Sequence, residues 1–157
     1  MARPSRTLIA ALRATAARLA AGSRYQWTHQ GACNCGHLAQ TLTRRSREEL
    51  HRLAVQRAGD WGEHAVDYCP ASGHPIDAVL GEMLDAGLEL ADVGHLERLS
   101  DVAVLRRFPL GERALDHRRR EDVVRYLEAW AELLEERLAV EQSGEHAIAG
   151  ALARRAG

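Results

Sequence analysis

No lysine occurs in the 157 residues, and all 21 basic side chains are arginine. That absence removes Schiff-base chemistry, pyridoxal phosphate anchoring, the phosphate-gripping lysine of a P-loop and a Ser–Lys dyad. Aromatic residues make up only 4% of the chain, so a buried core has to be aliphatic, built from Leu, Val and Ala. Net charge is nearly absent too: a formal value of −1 gives no global field to attract nucleic acid or an anionic lipid surface, and neither is expected as a partner. No apolar run approaches the ~20 residues of a membrane span. Cysteine is scarce and odd in number. Three thiols, two of them at positions 33 and 35, do not suit a secreted disulfide framework, which places the expectation in the cytosol.

What is present reads as helix. Leu8, Ile9, Leu12, Ala16 and Leu19 form one stripe, predicting an amphipathic helix from about Ser5 to Ala21 rather than a transit or signal segment. Ser46 and Glu49 make a capping-box pattern for a helix that stops near Gly59. Gly59, Gly62, Pro70, Gly73 and Pro75 predict an irregular stretch over 59–75, with Pro75 opening a helix that Gly87 closes. Short helices over Asp92–Leu99 and Asp101–Arg107, the second capped by Ser100, precede a long one from about Asp116 to Val140. No segment alternates as a strand. The expectation is a compact all-α single domain over 1–157, a bundle of five to seven helices with an irregular Cys/His-bearing loop region. Residues 1–4 and 144–157 are expected to be loosely ordered.

Chemistry concentrates in Gln30-Gly31-Ala32-Cys33-Asn34-Cys35-Gly36-His37 and again in His64-Ala65-Val66-Asp67-Tyr68-Cys69. Soft donors packed so closely are what zinc, iron–sulfur or copper(I) sites require. Residues two apart point opposite ways on a helix, so Cys33 and Cys35 act together only across a helix start near Asn34. The positive potential there favours thiolate over thiol. These residues predict a metal-binding protein, with Cys33, Cys35 and Cys69 as ligands and His37 or His64 as the fourth. Zinc is the modal ion, and iron or an iron–sulfur cluster the variant. Glu63, Asp67 and Gln30 are expected around the ligands. The alternatives are a thiol enzyme or dithiol redox protein using Cys33 or Cys35, with His64, His74 or His95 as base and Gln30 as oxyanion donor. A helical interaction module with incidental cysteines is the third, and a protein partner or homo-oligomer fits any of them. Glu48-x-x-His51, Asp92-x-x-His95 and Arg118–Arg120 read as solvated helix faces. His29, His117 and His146 read as polar residues on the surface.

Overall fold

A computed structural model describes the backbone of residues 1–155 and the side chains of residues 1–144; His146, with the rest of the tail's side chains, lies outside that range. Among the described residues there is no strand, and the eight α-helices take in 63% of the chain. They are α1 (Arg6–Ala20), α2 (Asn34–Thr43), α3 (Arg47–Ala54), α4 (Trp61–Val66), α5 (Pro75–Asp85), α6 (Leu90–Arg98), α7 (Val102–Leu105) and α8 (Arg120–Arg155), with a 3-10 turn at Leu110–Glu112. No described helix is long and apolar enough to cross a membrane.

Local chemistry sets the boundaries. Ser5 caps α1 by accepting the Leu8 N–H, and Gly22 ends it at φ +102°. Ser46 caps α3 through the Glu49 N–H, as its sequence pattern predicts. Pro75 supplies the first residue of α5, and Gly87 ends it at φ +125°. Asp101, not Ser100, caps α7: its carboxylate takes the N–H groups of Ala103 and Val104.

The eighth helix is α4, which lies inside the stretch expected to be irregular. Asp60 accepts the Glu63 N–H while the Glu63 carboxylate accepts the Asp60 N–H, a reciprocal box that starts a helix despite Gly59 and Gly62. Residues 1–4, expected to be loose, are docked. Ala2 is buried, the Arg3 N–H donates to Gly87 O at 2.8 Å, and the Ser5 hydroxyl donates to Ala86 O at 2.6 Å. At the other end the helical backbone of α8 runs on to Arg155, well past the Gly144 where loosening was expected.

One cluster of buried side chains draws on all eight helices. It is aliphatic apart from Trp61, Tyr126, Trp130, Met83, Cys33 and Cys35, with Leu8, Leu12 and Leu19 of α1 set against Val123, Leu127 and Leu134 of the long α8. Along α8, Leu138 is the last described residue packed on this core.

Candidate functional site

The Cys-rich segment lies where α2, α4 and α6 meet. Cys33 is the N-cap of α2, as the sequence placed it: its Sγ accepts the Gly36 N–H at 3.4 Å and donates to Gln30 O at 3.5 Å. Cys35 is sealed in the core and donates to Val93 O at 3.5 Å. Burial pushes the Cys33 thiol up to about 12, against the pull of the Gly36 N–H, and pushes Cys35 well above the ordinary thiol value. The helix start was expected to favour thiolate; desolvation outweighs it, and both groups are neutral thiols. Cys69 is exposed, no disulfide joins the three, and Cys33 and Cys35 are free and buried.

The metal reading is therefore corrected. Among the described residues, no group of three or more Cys, His, Asp and Glu side chains is placed to hold an ion, so Cys33, Cys35, Cys69, His37 and His64 do not form the zinc, iron or iron–sulfur site expected of them. Each histidine is occupied elsewhere. His37 Nδ1 lies 3.3 Å from Arg18 Nη2, a donor, which leaves Nε2–H to donate to Arg24 O at 3.0 Å. His64 Nδ1 accepts from Arg57 Nε at 3.4 Å, leaving Nε2–H for Gln30 Oε1 at 3.1 Å. Burial holds both imidazoles below the usual pKa, with Arg18 adding to it at His37 and Arg57 at His64.

Gln30 is not poised to receive an oxyanion. Its amide nitrogen donates to Gly59 O at 2.8 Å, and its backbone carbonyl takes the Trp61 indole N–H at 2.9 Å. Glu63 is spent on the α4 capping box, and Asp67 is the exposed C-cap of the same helix. His95 faces Ser100, 3.0 Å away, and Asp92 accepts the Glu89 N–H at 2.7 Å. Of the histidines read as polar surface, His29 stacks on His51 with ring centroids 3.9 Å apart, and His117 packs at a tilt of 46° against Trp27 with centroids 4.1 Å apart.

Several polar groups at this junction carry no sequence signature. Glu97 is buried, and its two oxygens accept the Trp61 and Gly62 N–H groups at 3.2 and 2.9 Å, completing the cap of α4 from a distant helix. Asn34 donates to the carbonyls of Leu96 and Glu97 at 2.7 and 3.1 Å. Arg57 grips the buried carboxylate of Asp77 with two nitrogens at 2.9 and 3.1 Å, while the Ser72 hydroxyl donates to it as well. Each of these groups already has a protein partner, although Glu97 also lines a cleft between α4 and α6, and Ser72 and Asp77 line a further opening of about 250 Å³.

The openings lie to either side. Between α4 and α6 runs a cleft of about 730 Å³ whose walls include Asp60, Glu63, Asp67, Gly94 and Arg98. On the opposite flank of the Cys-rich segment, Arg18, Arg24, His37, Gln40, Ser46, Arg47 and Glu48 line a smaller cavity of about 380 Å³. Arg47 is paired with Glu48, and Arg24 reaches only the neutral Gln26 amide at 3.3 Å. Arg18 differs from both. It is half-buried, Nη2 donates to His37 O at 2.8 Å, Nε is sealed with no hydrogen-bond partner, and burial alone draws its pKa down. The N-terminus of α3, at Ser46, opens on the same cavity. Set against protein-family models, curated proteins and solved structures, the chain matches none.

Proposed function

We propose that this chain is a binding protein for a small anion, a phosphate- or carboxylate-bearing molecule taken into the cavity where Arg18, Arg24 and Arg47 converge. One observation carries the reading: a half-buried guanidinium, that of Arg18, has no carboxylate partner among the described residues. Buried charge is costly without a counter-charge, and proteins supply one from a side chain or from a ligand. A planar guanidinium is well suited to two-pronged contact with carboxylate or phosphate. The positive end of α3 adds to the same field, and Glu48 is turned to Arg47. His37, neutral and wedged against Arg18, holds the guanidinium in place and leaves it the fixed charge.

Thermal unfolding with inorganic phosphate, against sodium chloride at matched ionic strength, tests the reading. A ligand at a hundred times its Kd stabilises the fold by about 2.7 kcal/mol. The melting temperature is expected to rise with phosphate beyond the chloride control, and Arg18→Met is expected to abolish that rise. Equal responses to both salts, or a phosphate response that survives Arg18→Met, refute it.

A further inference from the structure

The α4–α6 cleft is independent of the anion cavity. Its floor is made of small residues. A second opening of about 280 Å³, lined by Gly62, Ala65, Val66, Leu90, Ala91 and Gly94, continues the cleft through shared Gly62, Val66 and Gly94. Val66 is 86% exposed and Leu90 37%, apolar side chains left at its edge. A Cβ built on Gly94 meets nothing within 4 Å, so the groove is open directly above the α6 backbone. Its rim is acidic: Asp60, Glu63 and Asp67 stand there, and the guanidinium of Arg98 is drawn 3.0 Å from Asp60. A groove with this floor and this rim takes a helix of small apolar residues that ends in positive charge.

The chain carries such a segment. Past Gly144 its sequence is Glu-His-Ala-Ile-Ala-Gly-Ala-Leu-Ala-Arg-Arg, with Ile148 and Leu152 four positions apart and Arg154 and Arg155 at its end. Helix α8 continues for roughly 25 Å beyond Leu138, the last described residue of α8 on the core. An unbroken helix does not turn back on its own molecule.

We infer that the C-terminal segment of α8 from one copy of this chain docks in the acidic-rimmed α4–α6 groove of a second copy, and that the protein self-associates through this exchange. Small residues on both sides let the two helices approach closely, and the paired arginines meet the rim carboxylates.

Two measurements on the intact chain test this: light scattering across a concentration series, and fluorescence anisotropy of a labelled peptide of residues 141–157. Reversible association and saturable peptide binding are expected, both weakening as salt rises. Gly94→Leu fills the groove at a position with room for the side chain, and Asp67→Arg reverses a rim charge on an exposed cap. Each is expected to weaken association at least about tenfold, with the urea midpoint no lower than that of the parent. The double change Arg154→Asp/Arg155→Asp is expected to do the same, and combining it with Asp67→Arg to recover association. A chain that stays monomeric and ignores the peptide overturns the inference. So does association that neither Gly94→Leu nor Asp67→Arg alters, because the contact then lies on another surface.

Discussion

One substitution made at two glycines separates packing from propensity at the α2–α4–α6 junction. Gly36 lies in the first turn of α2, and a Cβ there would sit 2.2 Å from Gln30 O and 2.6 Å from the carbonyl carbon of Gly31. Ordinary contact begins near 3.4 Å, so the loop would have to retreat by more than an ångström. It has nowhere to go. The Cβ position of Gly31 is itself 1.9 Å from Arg47 O, so the start of α3 backs the loop directly. The Gln30 carbonyl that would be displaced receives the Trp61 indole, and the Gln30 side chain holds Gly59 and His64.

Overpacking of this kind costs about 1–3 kcal/mol. Each hydrogen bond broken at the loop adds about 1 kcal/mol more, and the helix-propensity gain of alanine returns only about 1 kcal/mol. Gly36→Ala is therefore expected to destabilise the fold by about 3 kcal/mol, a large share of the roughly 5–15 kcal/mol that holds a domain together. Gly94→Ala lies inside α6 with open space around its Cβ, and is expected to stabilise by about 0.5–1 kcal/mol. Urea unfolding reads both as shifts of midpoint at constant slope. A neutral or stabilising Gly36→Ala would show that the loop is not clamped between α2 and α3, and a destabilising Gly94→Ala would show that the space above α6 is not open.

Two further outcomes follow from the buried groups. Of the three thiols, Cys69 alone is exposed, so Ellman's reagent is expected to titrate one cysteine in the folded protein and the other two only in urea; native labelling of Cys33 or Cys35 at the rate of Cys69 would contradict their burial. His37 and His64 have folded pKa values below the ordinary 6.5, so each contributes stability that is present above that pH and lost as pH falls toward the folded value. Glu97 and Asp92, raised by burial, act in the opposite sense, favouring the fold at low pH and losing that contribution as pH rises through their folded values. The histidine part is therefore read by difference. His37→Gln and His64→Gln should each flatten the stability profile below pH 6.5 by up to one proton, about 1.4 kcal/mol per pH unit, and an unchanged slope in both would show that neither imidazole resists protonation.

The parts of the fold that were legible in the sequence rest on local chemistry. The stripe of Leu8, Leu12 and Leu19, the opening Pro75 and the closing Gly87 each act over one or two turns, and α1 and α5 end where those residues place them. Helix α4 was missed because two glycines in four residues outweigh a capping box in a reading by composition, although Asp60 and Glu63 stood at the right spacing. The helix start at Cys33 was legible, but the charge state of its thiol was not. A helix terminus offers a fraction of a charge at the surface, whereas full burial pushes the Cys33 thiol up to about 12, and burial is a property of the packed molecule. Arg57 with Asp77, and Glu97 with the first turn of α4, pair residues 20 and 35–36 positions apart and leave no periodic trace. Arg18 reads as one more arginine on α1 until His37 is seen closing over it.

The density of polar and sulfur groups around Cys33 has a physical account that needs no ion. Starting at Asn34, the side-chain amide reaches the Glu97 carbonyl, and the Glu97 carboxylate takes the Trp61 N–H. The Trp61 indole donates to Gln30 O, which also receives the Cys33 thiol, and the chain returns to Asn34 through one peptide bond. That closed ring ties α2, α4 and α6 together without a charged ligand set. Each bond in it contributes only about 0.5–1.5 kcal/mol net. Its members are mostly buried, however, so removing one partner strands the next and costs that group's desolvation as well. A thiol fits the ring at Cys33 because it is small enough for the N-cap, donates weakly to Gln30 O and tolerates complete burial when neutral. The same burial that makes it useful there withdraws it from solution chemistry.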